Sequence, residues 1–377
     1  NTQCLKSPYL TNATLLCGLA SLHSVIFSTL PVLSILKIIL FSATFLTQLS
    51  VWGNMTKEER VLSQVQAKGL LYGLVAASLP LIALPLGYFG RTTYFKGLLV
   101  HSQSLGVLLG VLTAHIWLIA FSKQRLSPRG LIFSTLTTSM LYLTRARVGL
   151  LAFLAGLAAG ATASLLSSST VLKRTRDYVK LSRVLAIAGI LLLAILLTQG
   201  APLVGLLDFI DKYSYSQDGT LTAFEAAYKS RGGLINVLLR NISKHPLIGV
   251  GFGVPSQGFR SSGILTDPIF GLPYMAASEK GVLPLAIIEK FGLPLECLWL
   301  LFLTQLAYYA YKGGPVMFGT FVAALTTNLA EACFFSPGGI GAFVIVIVCM
   351  TTTAYRYRHV PHDLNPSQTK RIAQQVA

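Results

Sequence analysis

Charge is scarce in this chain, and acidic charge most of all. Only 11% of the 377 residues are charged, and 30 Lys and Arg stand against 13 Asp and Glu, which gives a net charge of +17. An ordinary soluble domain has about a quarter of its residues charged, so this composition excludes an ordinary water-exposed globular surface. Hydrophobic residues make up 53% of the chain, a proportion that indicates a membrane protein.

Cysteine and histidine are also few, and they are not grouped. The five cysteines are single and scattered, which is not the spacing of a disulfide framework, a redox motif or a zinc site. His359 and His362 lie in the tail without cysteine or carboxylate partners at ligand spacing. We therefore predict no metal site and no cofactor, and we expect the cysteines to be buried apolar thiols.

What the chain does contain is a series of apolar runs of about 17 to 25 residues, the length that crosses a bilayer as a helix. They predict an all-α polytopic membrane protein with about ten transmembrane helices. We place the spans at 11–30, 33–52, 67–88, 98–121, 130–144, 149–168, 184–200, 292–311, 316–335 and 340–356. The first seven form an N-terminal block within 1–199, the last three a C-terminal block within 292–356, and a basic tail follows at 357–377.

Basic residues are concentrated in alternate loops, as the positive-inside rule requires. The loops that contain most of them include Lys57, Arg60, Lys123, Lys173, Lys312 and Arg356. This face is predicted to be cytoplasmic. The turn 90–96, the break 145–147 and the long polar segment 200–291 then face outward. Because the basic residues follow the loops rather than one surface, the charge does not indicate nucleic-acid binding.

The polar segment 200–291 contains the strongest candidate for chemistry. A predicted amphipathic helix over 222–244 ends where a proline stops it. His245, the only histidine of the segment, has an imidazole side chain, which titrates near neutral pH and can act as a general base. The turn after it contains Pro246, Gly249, Gly251 and Gly253. Glycines permit close approach of a backbone to a ligand, although a histidine before a proline can also simply cap a helix.

Arginines on the predicted outer face are candidates for binding negative charge. Arg91, Arg147 and Arg231 lie in or beside outer loops, and a guanidinium binds two phosphate oxygens at once, so converging arginines would hold a pyrophosphate. Possible supporting residues are Lys96, Arg145, Glu296 and Glu331. The two glutamates lie within spans near their outer ends, and we expect them to orient an arginine or histidine. For each arginine taken alone, snorkelling to lipid phosphate or a helix cap is the better explanation, except for Arg147, which has apolar sequence on both sides.

Four motifs occur in order along the chain. The most specific is Ser230-Arg231, then a helix, then His245-Pro246-Leu-Ile-Gly249-Val-Gly251-Phe-Gly253. The others are Gly90-Arg91 through to Gly106, Leu143-Thr-Arg145-Ala-Arg147-Val-Gly149, and Glu289-Lys-Phe-Gly292-Leu. Together they resemble the O-antigen ligase and polymerase family of bacterial membrane glycosyltransferases over about residues 85 to 335.

The chain departs from the family pattern at several positions. Gln103 and Ser104 replace the usual asparagine of the first motif, and Ala146 stands where serine is common. The aromatic residue expected after the outer-loop arginine is absent from 232–236, and other residues replace the usual His-Asn pair near 278–280. The last two departures concern the acceptor side of the expected site.

The resemblance implies a GT-C-like helical fold, with one large periplasmic loop between the seventh and eighth spans and an active site on the periplasmic side of the bacterial inner membrane. It also implies metal-independent, inverting transfer of a glycan from undecaprenyl pyrophosphate to an acceptor hydroxyl. Arg91, Arg147 and Arg231 would hold the pyrophosphate, and His245 would deprotonate or orient the hydroxyl.

Three functions stay open on the sequence. A ligase would transfer finished polysaccharide to lipid A-core, and the single large outer loop favours it. A polymerase would extend a growing glycan with the same chemistry. A transporter of lipid-linked glycan belongs to another class; the sequence shows no inverted repeat of the kind that alternating access usually leaves, and transport gives His245 no role. Membrane lipids are expected partners in all three cases, and nucleic acid in none.

Overall fold

The computed structural model describes residues 8–88, 94–99, 101–122, 128–167, 235–256, 283–329 and 333–357. These ranges are helical and contain no strand. The helices are α1 (Pro8–Ile26), α2 (Pro31–Asn54), α3 (Lys57–Ser78), α4 (Ser102–Ser122), α5 (Pro128–Leu143), α6 (Arg147–Ser167), α7 (235–244), α8 (Leu283–Gly313), α9 (Pro315–Thr326) and α10 (Ile340–Thr353). Short 3₁₀ turns occupy Pro80–Ile82, Pro85–Tyr88, Thr327–Leu329 and Ala354–Tyr357.

Among the described residues, five helical stretches are long and apolar enough to cross a membrane. They are Pro8–Ile26, Pro31–Asn54, Lys57–Ile82, Ser102–Ser122 and Arg147–Leu166. The prediction of an all-helical protein with membrane-spanning helices is confirmed at this level. The predicted span 184–200 and most of the predicted outer loop lie outside the described residues.

Several predicted span boundaries differ from those of the helices, such as the end of the span 11–30, which the structure places at Ile26, and local capping explains one of the differences. The span expected at 67–88 belongs to α3, which begins earlier, at Lys57. Thr56 and Glu59 form a capping box there, in which each side chain accepts a hydrogen bond from the other residue's backbone N–H, at 3.3 and 2.8 Å. The span expected at 316–335 ends sooner, since α9 stops at Thr326 and the 3₁₀ turn after it at Leu329. The start expected for the span 292–311 agrees with the break of the backbone at Gly292, after which the second part of α8 runs to Gly313.

Small residues allow α4, α6 and α9 to pack at backbone distance. A Cβ on Gly149 of α6 would collide with the carbonyl of Gly106 in α4, and a Cβ on Gly110 would collide with the carbonyl of Gly149. Further along α6, a Cβ on Gly156 would lie 2.8 Å from the carbonyl oxygen of Gly319 in α9. Helices in a membrane gain stability from such close van der Waals packing, because water is not there to drive them together.

Several arginines that the charge pattern assigned to the cytoplasmic face lie together at one end of the bundle. Arg60 is buried, donates to Thr353 Oγ1 at 2.9 Å and also bonds the carbonyl of Met350. Arg356 donates to the carbonyl of Gly53 at 2.6 Å. The end of α2, the start of α3 and the end of α10 therefore meet at this end of the bundle.

The opposite end carries the candidate residues. Helices joined by short turns run antiparallel, so the turn 27–30, the segment 94–99 and the break 143–147 all lie away from Arg60 and Arg356. The segment 245–256 lies there too, because Thr29 N donates to the carbonyl of Val250 at 3.0 Å. Among the described cysteines, Cys17 and Cys349 are buried as expected, whereas Cys297 is exposed, contrary to the prediction.

Candidate functional site

The segment after α7 begins with one tight turn. The helix ends at 244, directly before His245 and Pro246, so the predicted stop is confirmed. His245 N donates to the carbonyl of Asn241 at 3.0 Å, and Gly249 N donates to the carbonyl of His245 at 2.9 Å. Both backbone groups of His245 are thus bonded within the described chain, which fixes the position of its Cα.

Backbone hydrogen bonds join this segment to the beginning of α8. Val250 N donates to the carbonyl of Glu289 at 2.8 Å, and Gly251 N donates to the carbonyl of Lys290 at 2.9 Å. In the opposite direction, Leu293 N donates to the carbonyl of Pro246 at 2.9 Å. The last bond is possible because α8 breaks at Gly292, whose φ of 75° is rare for any residue with a side chain. A Cβ at Gly292 would also collide with the carbonyl of Leu247.

Helices α1 and α2 and the turn between them bind the other side of the segment 245–256. His23 Nε2 donates to the carbonyl of Ile248 at 2.6 Å, since a carbonyl can only accept. Thr29 donates to the carbonyl of Val250 from its Oγ1 at 3.1 Å, and Lys37 Nζ donates to the carbonyl of Gly253 at 3.1 Å. Elements far apart in the sequence therefore place the segment from both sides.

The three glycines after His245 have backbone conformations that favour glycine. Gly249, Gly251 and Gly253 have φ of 61°, 109° and 67°. The space beside them is occupied by protein: a Cβ on Gly249 would lie 2.6 Å from the backbone of Lys290, and one on Gly251 would collide with Ser28. These glycines let the segment pack tightly against its own neighbours. The expectation that they also approach a ligand stays a prediction.

An aromatic cluster anchors the segment to the core. Phe252 is fully buried, and its ring centroid lies 5.4 Å from that of Phe291, 5.7 Å from Phe335 and 5.8 Å from Phe41. The Lys290 Nζ lies 5.6 Å from the centre of the Phe252 ring. Aromatic pairs at these distances add stability beyond the area they bury, so the turn is part of the core at this end of the bundle.

The buried carboxylate of Glu289 joins the two ends of the segment 241–256 by hydrogen bonds. Glu289 is only 1% exposed. Its Oε1 accepts from Asn241 Nδ2 at 2.5 Å and its Oε2 accepts from Ser256 Oγ at 2.8 Å, while Asn241 Nδ2 also donates to the carbonyl of Ser256 at 2.8 Å. Asn241 precedes His245 by one helical turn, so Glu289 ties the start and the end of the segment 241–256 together.

Burial raises the pKa of the Glu289 carboxyl, and the hydrogen bonds from Asn241 and Ser256 oppose that rise. Glu289 lies before the predicted span 292–311 and entered the sequence argument only as the first residue of a motif. An acid in an otherwise apolar helix start is costly unless it has partners, and that cost was the signal available in the sequence. Its partners were not predictable, because they come from two separate segments.

The side chain of His245 is exposed, unlike the buried groups that hold its turn. Arg240 and Lys244, on the last turn of α7, are exposed as well. Within the part of the chain that the structure describes, no hydrogen bond to the imidazole is found. A titratable ring with a fixed backbone and a solvent-accessible side chain is suited to exchange a proton with a bound molecule.

A second group of candidates lies at the break between α5 and α6. Phe95 N donates to the carbonyl of Leu143 at 3.3 Å, and the guanidinium of Arg145 lies 5.5 Å from the centre of the Tyr94 ring. Arg145 is exposed with a φ of 47°, and Arg147 begins α6 as a partly buried residue. The structure thus brings the segment that contains Lys96 next to the two arginines of the break.

The remaining predicted residues are placed only in part. Arg91, Arg231 and Glu331 lie outside the described residues. Glu296 is buried in α8, one turn after the break at Gly292, and its Oε2 has no hydrogen-bond partner among the residues described. The expected orienting contact between Glu296 and an arginine or histidine therefore stays a prediction, as does the convergence of the arginines on one pyrophosphate.

No grouping of three or more His, Cys, Asp and Glu side chains suited to a metal ion occurs among the described residues. In comparisons with known proteins, no protein-family model and no curated sequence matches the chain. The class that the structure itself defines is an all-helical protein with several helices able to span a membrane.

Proposed function

We propose that this protein is a membrane glycosyltransferase that moves a glycan from undecaprenyl pyrophosphate to an acceptor hydroxyl on lipid A-core, as O-antigen ligases do. The observation that carries the proposal is the support around His245. Its backbone is bonded within the turn, the turn is bonded to α1, α2 and α8, and yet the imidazole is exposed. This arrangement suits a general base better than a helix cap, because the ring is exposed and makes no hydrogen bond to any described residue.

The proposed chemistry is a direct displacement at the anomeric carbon. His245 accepts the proton of the acceptor hydroxyl, the oxygen forms the new glycosidic bond, and the bond to the pyrophosphate oxygen breaks. The configuration at the anomeric carbon is inverted. Charge that develops on the leaving pyrophosphate is stabilised by Arg91, Arg147 and Arg231, since fixed guanidinium groups need no reorganisation as the charge develops. In this proposal the reaction needs no metal ion and no other cofactor.

The proposed location is the bacterial inner membrane, with about ten spans and His245 on the periplasmic side. Two observations support this orientation. Arg60 and Arg356 lie at one end of the bundle, and the break with Arg145 and Arg147 lies at the other end, together with the segment of His245. The larger number of basic residues in the loops of the first end is the feature that the positive-inside rule assigns to the cytoplasm.

A product assay with purified protein tests the function. Undecaprenyl pyrophosphate-linked glycan is supplied together with lipid A-core, and products are separated by size. A single adduct on lipid A-core is expected. A ladder of products on the carrier lipid would instead identify a polymerase, and donor binding without transfer to any acceptor would favour a transporter.

The proposed donor site predicts that Arg147→Lys impairs transfer by raising the KM for the donor. Lysine keeps the charge but is a single point donor, so the bidentate contact with phosphate oxygens is lost. Arg129→Lys, at the opposite end of α5, is the matched control and should leave the kinetics unchanged. Equal donor KM in wild type and Arg147→Lys, measured over a donor concentration series, would remove Arg147 from the pyrophosphate site.

A further inference from the structure

Large apolar side chains are exposed on the turn that follows His245 and on the part of α8 that is bonded to this turn. Leu247 is 65% exposed and Ile248 is 39% exposed, although the carbonyl groups of both residues face protein. Leu293 is 45% exposed and lies beside them, since its N–H bonds the carbonyl of Pro246. A corner of the molecule that carries a titratable ring therefore also carries three uncovered aliphatic side chains, an arrangement that water does not favour.

This apolar surface continues onto the outside of α1. The hydrogen bond from His23 to the carbonyl of Ile248 places the turn against the last turn of α1. Ile26 on that turn is 58% exposed, and Phe27, whose ring centroid lies 5.4 Å from that of His23, is 44% exposed. Because α1 is long and apolar enough to cross a membrane, its exposed aliphatic side chains are the surface that meets lipid, and Leu247 and Ile248 extend that surface beyond the end of the helix.

Cationic side chains lie next to the same corner. Arg240 and Lys244 are exposed on α7, and Leu239 beside them is 48% exposed. Aliphatic groups flanked by Lys and Arg are typical of segments that lie in the interface of an anionic membrane, where the aliphatic groups enter the acyl region and the cations meet lipid phosphate.

We propose that the corner formed by Leu247, Ile248 and Leu293 inserts into the membrane leaflet at this end of the bundle. Arg240 and Lys244 then lie at the level of the lipid phosphates. The occupant is the bilayer rather than a second protein, because the corner is continuous with the lipid-facing side of a spanning helix. If His245 has the role proposed above, its acceptor hydroxyl is delivered at the membrane surface.

The depth of residue 247 tests this proposal. Leu247→Trp is reconstituted in vesicles of phosphatidylethanolamine and phosphatidylglycerol, with and without lipids brominated on the acyl chains. The fluorescence added by the new tryptophan, relative to wild type, is expected to be quenched several-fold more strongly by bromolipid than in the control Ser243→Trp. Ser243 is exposed one turn earlier, on α7. The native Trp52, Trp117 and Trp299 are buried and contribute the same background to both variants.

Acrylamide stays in the water phase and therefore quenches a tryptophan that is exposed to water rather than to lipid. Stronger quenching of Leu247→Trp by acrylamide than by bromolipid would overturn the proposal. Weak quenching by both reagents would show that protein covers the corner, and it would overturn the proposal equally. The experiment contains no glycan donor or acceptor, so its result is independent of the proposed transferase activity, and a protein without activity still reports the depth of the corner.

Discussion

Replacing His245 with alanine is expected to lower the rate of glycan transfer by about 10²- to 10⁴-fold, the contribution of a positioned general base. The side chain is exposed, and the hydrogen bonds that hold the residue are made by its backbone. The substitution therefore removes the imidazole and leaves the turn in place. The measurement is the initial rate of adduct formation at saturating donor and acceptor.

The matched control is Ser243→Ala. Ser243 is exposed on the last turn of α7, and among the described residues its hydroxyl bonds only the carbonyl of Arg240, at 2.9 Å. This variant should transfer glycan at the wild-type rate. Equal melting temperatures of the three proteins in detergent would establish that His245→Ala is folded. If His245→Ala transferred glycan at the wild-type rate, the imidazole would not be the general base.

The second large effect is expected from Glu289→Ala, although this residue does not touch substrate in the proposed mechanism. Its carboxylate accepts hydrogen bonds from Asn241 and Ser256 in a buried position. A hydrogen bond to a charged group contributes about 1.5–3 kcal/mol, and the variant leaves both donors without this acceptor. We expect the free energy of unfolding to fall by about 3 kcal/mol or more. We also expect a loss of transfer activity, because no side chain at position 289 then joins Asn241 to Ser256 and holds the segment of His245 in place.

Glu289→Gln separates a positioning role from a chemical one. The glutamine amide keeps an oxygen acceptor for Asn241, and its NH₂ group can donate to the Ser256 hydroxyl. We therefore expect Gln to recover most of the melting temperature and most of the transfer rate that Ala loses. An exposed acid, Glu58 of α3, supplies the control Glu58→Ala, which should change neither quantity. If Gln were as stable as wild type but as inactive as Ala, the carboxylate itself would take part in the reaction.

The helix before His245 illustrates what local sequence information can predict. A proline lacks the N–H that would continue the helix and restricts the residue before it. The end at 244 therefore follows from residues next to one another in the chain. The clustering of Arg60 and Arg356 at one end of the bundle was predictable for a similar reason, because alternating helix direction and the placement of basic loops are both properties of the sequence order.

The environment of Glu289 illustrates the opposite case. Asn241, Ser256 and Glu289 come from separate segments, and no periodicity in the sequence brings them together. The sequence predicted a span that starts at 292, but it did not predict the helical part of α8 from Leu283 up to the break at Gly292. The break depends on the carbonyl groups of Pro246 and Leu247, which occupy the space beside it.

The sequence by itself determined the class of this protein: an apolar, helical chain with segments long and apolar enough to span a membrane, and a short list of residues able to hold a proton or an anion. These properties depend on composition, on the length of apolar runs and on charge order, which are local or additive. Only the tertiary structure decided that hydrogen bonds with His23, Lys37 and Glu289 hold the segment around His245 in place while the imidazole itself stays exposed. That outcome depends on hydrogen bonds between segments distant in the chain, whose energies exist only once the helices have packed.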